Sequence, residues 1–528
     1  MLSEQKIPDI NHPHPSLVSL AVQSTLLYSR GKEICMPKRI VLIGAGSAQF
    51  GSGTLGDIFQ SGILRGSEIV LHDINESALA VMQKKADRAL EKYRLEFSVS
   101  SSLDRREALK GADFVIISIE VGDRFALWDL DRTIPQNYGI RQVFGENGGP
   151  GGLFHSLRII PPILDIAQDI MDICPAAFVF NYSNPMSRIV TTVKRKFPDL
   201  KLVGLCHEIA SLEEHLPQIL GTPVGNITYR AGGLNHFSVL IEAEYRNTGK
   251  NAYPEIMSKA GDYFRRQSGY SEMWKFIRDN FGPLLKGSAS GGDFDLSLIV
   301  PVLRKFLKDS IPERMGDDEV LAILNTEGFH SFNLKSFLAP LREWSDRQLF
   351  RVIFETFNLL PITGDSHLGE YVQWAYSAAD IKGIIDFYAM YRTMLSVFTP
   401  EISLKMGERV VPIMEGIITD SGYEEPAVNI LNDGYIKDLP SWIAVEVPAR
   451  IDAKGVHGVK LDMPAGFRGL LTNQIGIHDL TAEAVLHKSK KIAHQALLVD
   501  PVVDTSAGLK DMLEFIIESE SPYLNYLT

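Results

Sequence analysis

Arg39-Ile40-Val41-Leu42-Ile43-Gly44-Ala45-Gly46-Ser47 is a short β-branched run that ends in a glycine pair, and a helix-like stretch follows it through Ile63. Glycines at such a junction let the backbone approach a pyrophosphate. They also direct a helix N-terminus at it, where unpaired N–H groups and the helix dipole favour an anion. The third glycine of the usual dinucleotide fingerprint is displaced, with Gly51 the nearest candidate. Asp73 ends the next apolar run, Glu68-Ile69-Val70-Leu71-His72, 29 residues after Gly44. An acid there accepts hydrogen bonds from ribose hydroxyls and repels a 2′-phosphate, so the pattern favours NAD over NADP. Gly44, Gly46, Ser47 and Asp73 are the candidate cofactor residues. A turn glycine pair with a helix-capping aspartate is the plainer alternative.

Outward from this stretch the strand–turn–helix texture repeats. Glu76 to Tyr93 has helical periodicity and Glu96 to Val99 reads as a third strand. Asp113–Ser118, Ala177–Asn181 and Lys201–Leu205 follow as the fourth, fifth and sixth. Six apolar strands separated by helices predict an α/β fold built on a Rossmann-type, doubly wound parallel sheet. The pattern changes after about residue 225. Asn226 to Tyr245 alternates like antiparallel strands, Glu255 to Gln348 is mostly helical around a Gly287–Gly292 loop, and Ile475–Leu498 and Leu509–Glu518 are amphipathic helices. The expected organisation is an extension over residues 1–35, an NAD-binding domain over 36–225, and a C-terminal mixed α/β domain over 226–528 for substrate and dimerisation. Met36, directly before the first strand, is a candidate start.

Composition narrows the partners. At 528 residues, with 45% hydrophobic and 22% charged residues, the chain can bury more than one core. The net charge of −12, from 53 Lys and Arg against 65 Asp and Glu, argues against nucleic acid or an anionic membrane as partner. No apolar run is long enough to span a bilayer. The apolar segment Ser16–Tyr28 has more acidic than basic residues ahead of it and no small-residue cleavage site behind it, unlike a signal peptide. Three cysteines, Cys35, Cys174 and Cys206, form no disulfide framework and suit a reducing, cytoplasmic setting.

Cys206, in Gly204-Leu205-Cys206-His207-Glu208, and His236, in Gly233-Leu234-Asn235-His236-Phe237, each stand at the mouth of a predicted strand. A structural zinc normally takes four protein ligands. Two would leave positions open for substrate oxygens, as a Lewis-acid role requires. On spacing alone, a buried core thiol and an ordinary strand histidine are the better reading of the pair.

The motifs Gly44-Ala45-Gly46-Ser47, Asn181-Tyr182-Ser183-Asn184-Pro185-Met186, Gly204–Glu208 and Gly233–His236 occur in the order and context of glycoside hydrolase family 4. So do Gly149-Pro150-Gly151-Gly152, Leu157-Arg158-Ile159-Ile160-Pro161 and Val445-Glu446-Val447-Pro448, and the resemblance covers about residues 37–520. It implies hydrolysis that departs from the two-carboxylate route and needs NAD⁺ and a divalent metal, typically Mn²⁺. Hydride leaves the sugar's C3 for the cofactor, the C2 proton becomes acidic, a base removes it, and the aglycone departs from C1. Water then adds, and the same cofactor returns the hydride. The resemblance assigns the metal to Cys206 and His236, and makes Asn184 a contact to the nicotinamide and the sugar. The C2 base is expected at Asp365, in Thr363-Gly364-Asp365-Ser366-His367, with Tyr371 in reserve; a turn residue capping a helix is the other reading of Asp365. His207 is the expected leaving-group acid or sugar contact, or else an orienting histidine.

Family members that act on phosphorylated sugars carry an arginine where this chain has Trp128, and an indole cannot hold a phosphate bidentately. The expected substrate is thus an unphosphorylated α-glycoside, glucoside first. An α-galactoside is the alternative, as is an acidic sugar held by Arg124, Arg132 or Arg141. The family implies a homodimer or a dimer of dimers. An ordinary NAD-dependent dehydrogenase of the 2-hydroxy acid type and a non-catalytic NAD sensor are the readings from other classes.

Overall fold

A computed structural model of the chain describes residues 35–46, 50–265, 316, 318, 343–344, 347–385, 388, 401–404 and 407–528. Ser47 and the Gly287–Gly292 loop of the sequence reading lie outside them, as do residues 1–34.

Six strands, β1 (Arg39–Ile43), β2 (Glu68–His72), β3 (Ser98–Ser102), β4 (Phe114–Ile117), β5 (Phe178–Asn181) and β6 (Lys201–Gly204), lie parallel in the order β3-β2-β1-β4-β5-β6. This is the doubly wound order, with its switch point between β1 and β4. The strands are apolar on both sides because both faces are covered. Val115, Ile117 and Val179 face the helices Gly149–Ile173, Met186–Lys196 and Leu509–Ser519, whereas Phe114, Ile116 and Phe180 face Phe50–Gln60, Glu76–Tyr93 and Val410–Thr419. β3 sits later than its apolar residues suggest. Its sequence is Ser98-Val99-Ser100-Ser101-Ser102, and its position at the sheet edge removes the need for two apolar faces.

The C-terminal half does not form a separate layer. β11 (Tyr423–Leu431) pairs antiparallel with β6 through Asn429 and Gly204. β12 (Ala444–Asp452), β7 (Ile227–Leu234), β8 (Phe237–Tyr245) and β10 (Leu360–Pro361) then continue the same sheet, with the short β9 (Lys250–Asn251) paired to β8. Gly204 is required there: a Cβ would lie 2.4 Å from Met186 Sδ and 2.9 Å from Asn429 Cβ. The stretch Ile475–Leu498 is two helices, Ile475–Leu486 and Lys490–Val499, because Lys488 adopts φ 54° and Ser489 caps the second by accepting from Ile492 N–H. No helix among the described residues is long and apolar enough to cross a membrane.

Candidate active site

The loops after β1, β4, β5 and β6 emerge at one end of the parallel sheet. Gly44, at φ 86°, lies so close to the β4 exit that a Cβ would fall 2.1 Å from the Ser118 carbonyl oxygen. A Cβ on Gly46 would meet Ala78 and Asp73, and one on Gly51 would meet the Ala45 carbonyl at 2.3 Å. Gly51 thus supplies the close helix–strand approach expected of the third glycine. Asp73 reaches back over β1: Oδ2 accepts the Gly46 N–H at 2.8 Å, and Oδ1 accepts the Asn75 N–H at 2.8 Å. The glycine loop and the acid therefore share one mouth, the arrangement a dinucleotide needs. Beside it, the Ser183 hydroxyl donates to the Ile119 carbonyl and accepts from the Ile119 N–H, tying the β5 loop that carries half-buried Asn184 to the β4 loop.

Cys206 and His236 come together: Sγ lies 3.3 Å from Nε2. Two such ligands on one first-row ion at ~2.3 Å (S) and ~2.1 Å (N) stand roughly 3.1–3.6 Å apart for angles from 90° to tetrahedral. The pair fits a shared metal. Among the described residues no third His, Cys, Asp or Glu completes a metal-holding cluster. Burial, with Glu446 and Glu208 nearby, pushes the Cys206 thiol well above its usual range, and burial with His367 and His207 pushes His236 well below its own. A bound cation opposes the first effect by favouring thiolate, and it requires the neutral imidazole that the second provides.

His236 occupies the second position of the two-residue turn joining β7 to β8, at φ 62°. A non-glycine residue keeps that conformation only where its surroundings impose it. Here the Thr363 hydroxyl donates to the His236 carbonyl, the Tyr371 hydroxyl to the Asn235 carbonyl, and Asn235 N–H to Ser187 Oγ. Buried Glu446 accepts from Asn235 Nδ2, Asn429 Nδ2 and the Ser238 hydroxyl.

Around this tip lie Glu370, His367, Glu146, Glu120 and His155, to which sequence reading gave no role, together with Arg124, to which it did. Glu370, 1% exposed, accepts three backbone N–H groups, from Gly145 and Glu146 on Oε1 and from Asn147 on Oε2. His367 lies with its ring centroid 4.3 Å from that of His236. Its Nδ1 is 3.8 Å from Glu146 and 3.9 Å from Glu370, and these carboxylates, overcoming burial, push it up to about 9. Arg124 pairs with Glu146 at 2.9 Å and with Glu120 at 3.6 Å, and Glu120 also meets His155. Against its partial desolvation, His155 and Arg124 hold Glu120 down to about 2. The signal for Glu370 and His367 was their i,i+3 spacing in His367-Leu368-Gly369-Glu370, which places both on one side of a helical turn.

Both oxygens of Asp365 accept backbone N–H groups, from Leu349 at 2.9 Å and Phe350 at 2.8 Å, so its carboxylate caps the helix Gln348–Phe357. The reserve base, Tyr371, donates its hydroxyl to the Asn235 carbonyl and stacks its ring on Phe237 at 4.8 Å, and burial pushes the phenol far above its usual range. His207 is exposed beside Cys206. Trp128 stands edge-on to Phe144 and Tyr388, with centroids 4.0 and 4.6 Å away, and its indole N–H is buried with no partner among the described residues. Arg124 is engaged by carboxylates and Arg141 lies over the Tyr376 ring.

Residues 39–222 match the model described as family 4 glycosyl hydrolase, and residues 231–503 match that family's C-terminal domain. An alpha-glucosidase of Erwinia rhapontici is 56% identical over 492 residues, 93% of this chain and 100% of that one. An alpha-galactosidase of Bacillus subtilis (strain 168) is 28% identical, covering 90% of this chain and 96% of its own. Among solved structures, a 6-phospho-alpha-glucosidase from gut microorganisms in complex with NAD and Mn²⁺ has a TM-score of 0.64 at 17% identity, over 92% of this chain and 98% of that one. The 6-phospho-beta glucosidase of Thermotoga maritima has a TM-score of 0.63 at 19% identity, over 92% and 99%.

Proposed function

Because the chain belongs to glycosyl hydrolase family 4, we propose that it hydrolyses unphosphorylated α-glycosides, α-glucosides first, with NAD and a divalent metal such as Mn²⁺. The 3.3 Å approach of Cys206 Sγ to His236 Nε2, beside the Gly44–Gly46 loop, is the observation that carries this reading. Bound there, NAD⁺ would supply reversible hydride acceptance at C3, and the cation Lewis acidity toward the sugar's C2 and C3 oxygens.

The chain's own residues divide the remaining work. Gly44 and Gly46 admit the pyrophosphate, Asp73 meets the adenosine ribose, and Asn184 lies between nicotinamide and sugar. Cys206 and His236 hold the metal, with the turn at Asn235 locked by Tyr371 and Glu446. The Asp365 carboxylate takes the C2 proton, and His207 gives a proton to the glycosidic oxygen. Trp128, in its aromatic cluster, forms an apolar wall with an indole donor that has no partner among the described residues, which suits a hydroxymethyl group better than a phosphate. The 56% identical alpha-glucosidase supports glucose over galactose. Engagement of Arg124 by Glu120 and Glu146 weighs against an acidic sugar. Residues 36–225 carry the cofactor together with Trp128, Asn184, Cys206 and His207 of the sugar site, which residues 226–528 complete, in a cytoplasmic homodimer or dimer of dimers.

The test is release of 4-nitrophenol from 4-nitrophenyl α-glucoside with Mn²⁺, NAD⁺ and a reductant. Omitting NAD⁺ or adding a chelator abolishes the rate if the reading is right, and solvent deuterium enters C2 of the released sugar. Steady accumulation of NADH with substrate would instead mark a dehydrogenase.

A further inference from the structure

We infer that Asn147 is a positioning residue that fixes the tautomer of His236, keeping the proton on Nδ1 so that Nε2 stays bare toward Cys206. The inference rests on Cys206 and His236 being ligands of one divalent cation. A ring nitrogen that binds a cation cannot carry a proton, so the other must, and a buried Nδ1–H needs an acceptor.

Asn147 is the neighbour that can supply it. Its side-chain nitrogen lies 2.9 Å from His236 Nδ1, both residues are buried, and its Oδ1 has no partner among the described residues. The two ends of a carboxamide exchange by a half-turn. With nitrogen facing Nδ1, the ring must accept there and carry its proton on Nε2, which bars a cation, and Oδ1 is orphaned. With Oδ1 facing Nδ1 the acceptor is used and Nε2 is bare. The turn gives up a 3.4 Å contact from the amide nitrogen to Glu146 Oε2, long for a hydrogen bond, and moves that nitrogen to the position where Oδ1 had no partner among the described residues.

The side chain is held where this requires. Glu370 Oε2 accepts the Asn147 backbone N–H at 3.0 Å. A Cβ on Gly148 would lie 2.4 Å from the Glu370 carbonyl oxygen, and one on Gly152 2.4 Å from the Asn147 carbonyl carbon. The glycines therefore let this loop close on Asn147 from both sides.

The experiment measures Mn²⁺ binding directly, by electron paramagnetic resonance of the free aquo ion, without substrate. Asn147→Leu keeps the bulk and removes the acceptor, and Mn²⁺ affinity should fall roughly 10–100-fold. Asn147→Asp presents an oxygen in either orientation and should bind within a few-fold of the parent, by about the same criterion. Thermal unfolding without metal verifies the fold, and Asn147→Ala replaces the leucine variant if that one does not fold. Unchanged affinity in Asn147→Leu, or an Asn147→Asp variant as weak as Asn147→Leu, overturns the inference. Equal Mn²⁺ binding by the parent and Cys206→Ser would overturn the reading of the site itself, a separate result.

Discussion

The hydroxyl of Tyr371 donates to the carbonyl of Asn235 at 3.0 Å, so the turn that carries His236 hangs from a phenol 136 positions later in the chain. Tyr371→Phe keeps the stack on Phe237 and loses only this bond. It should lower stability by about 1–3 kcal/mol, the cost of a buried carbonyl without its donor. Turnover should stay within roughly tenfold of the parent, because a group acting as base contributes ~10²–10⁴. A kcat loss of that larger size with unchanged unfolding temperature would return the base role to Tyr371.

Asp365→Asn separates proton transfer from capping. Asparagine offers one acceptor oxygen for the two N–H groups of Leu349 and Phe350, so the helix Gln348–Phe357 should persist at a stability loss of about 1–3 kcal/mol. With the carboxylate gone, kcat should fall ~10²–10⁴ and deuterium should stop entering C2. Full turnover by this variant would leave Asp365 with a structural role in place of the base.

Asp73→Ala should change the cofactor preference. Removing the carboxylate deletes both the acceptor for ribose hydroxyls and the charge that repels a 2′-phosphate. Isothermal titration should show weaker NAD⁺ binding and a smaller gap to NADP⁺. An undiminished preference for NAD⁺ would place the ribose elsewhere.

His215 predicts how stability responds to acid. Burial, aided by Arg347, pushes its imidazole down to about 3, whereas in the unfolded chain it titrates near 6.5. Between those values the unfolded chain holds the extra proton, so lowering pH favours unfolding. At pH 5, about 1.5 units below the unfolded value, the penalty is roughly 2 kcal/mol. Denaturant titrations of His215→Gln should show an acid-side decline smaller by about that amount. Identical slopes in both proteins would refute it.

Legibility followed locality. The glycine loop, Asp73 and the six parallel strands could be read because strand, turn and helix alternate within a few residues and each carries its own pattern. Cys206 and His236 were nominated as ligands, yet their 3.3 Å approach depends on β11, β12 and β7 lying between β6 and β8, an order with no local signature. Glu370, Glu146 and Asn147 escaped notice for the same reason: a buried carboxylate gripping three N–H groups more than two hundred positions away looks like any surface glutamate in sequence. The capping bonds of Asp365 were anticipated as a possibility from Gly364-Asp365-Ser366, but the helix it caps precedes it instead of following it.

The pairing of β6 with β11 also sets an order of assembly during synthesis. When Lys201–Gly204 leaves the ribosome, the strand that will cover its open edge, Tyr423–Leu431, has not yet been translated. Until it arrives, Leu202 and Val203 sit on an unprotected edge that can template pairing with another chain. A fragment ending near residue 225 would keep that edge permanently, so aggregation is expected of it however sound its glycine loop. Cys206, two residues beyond the edge, reaches its final setting only when nearly the whole polypeptide exists.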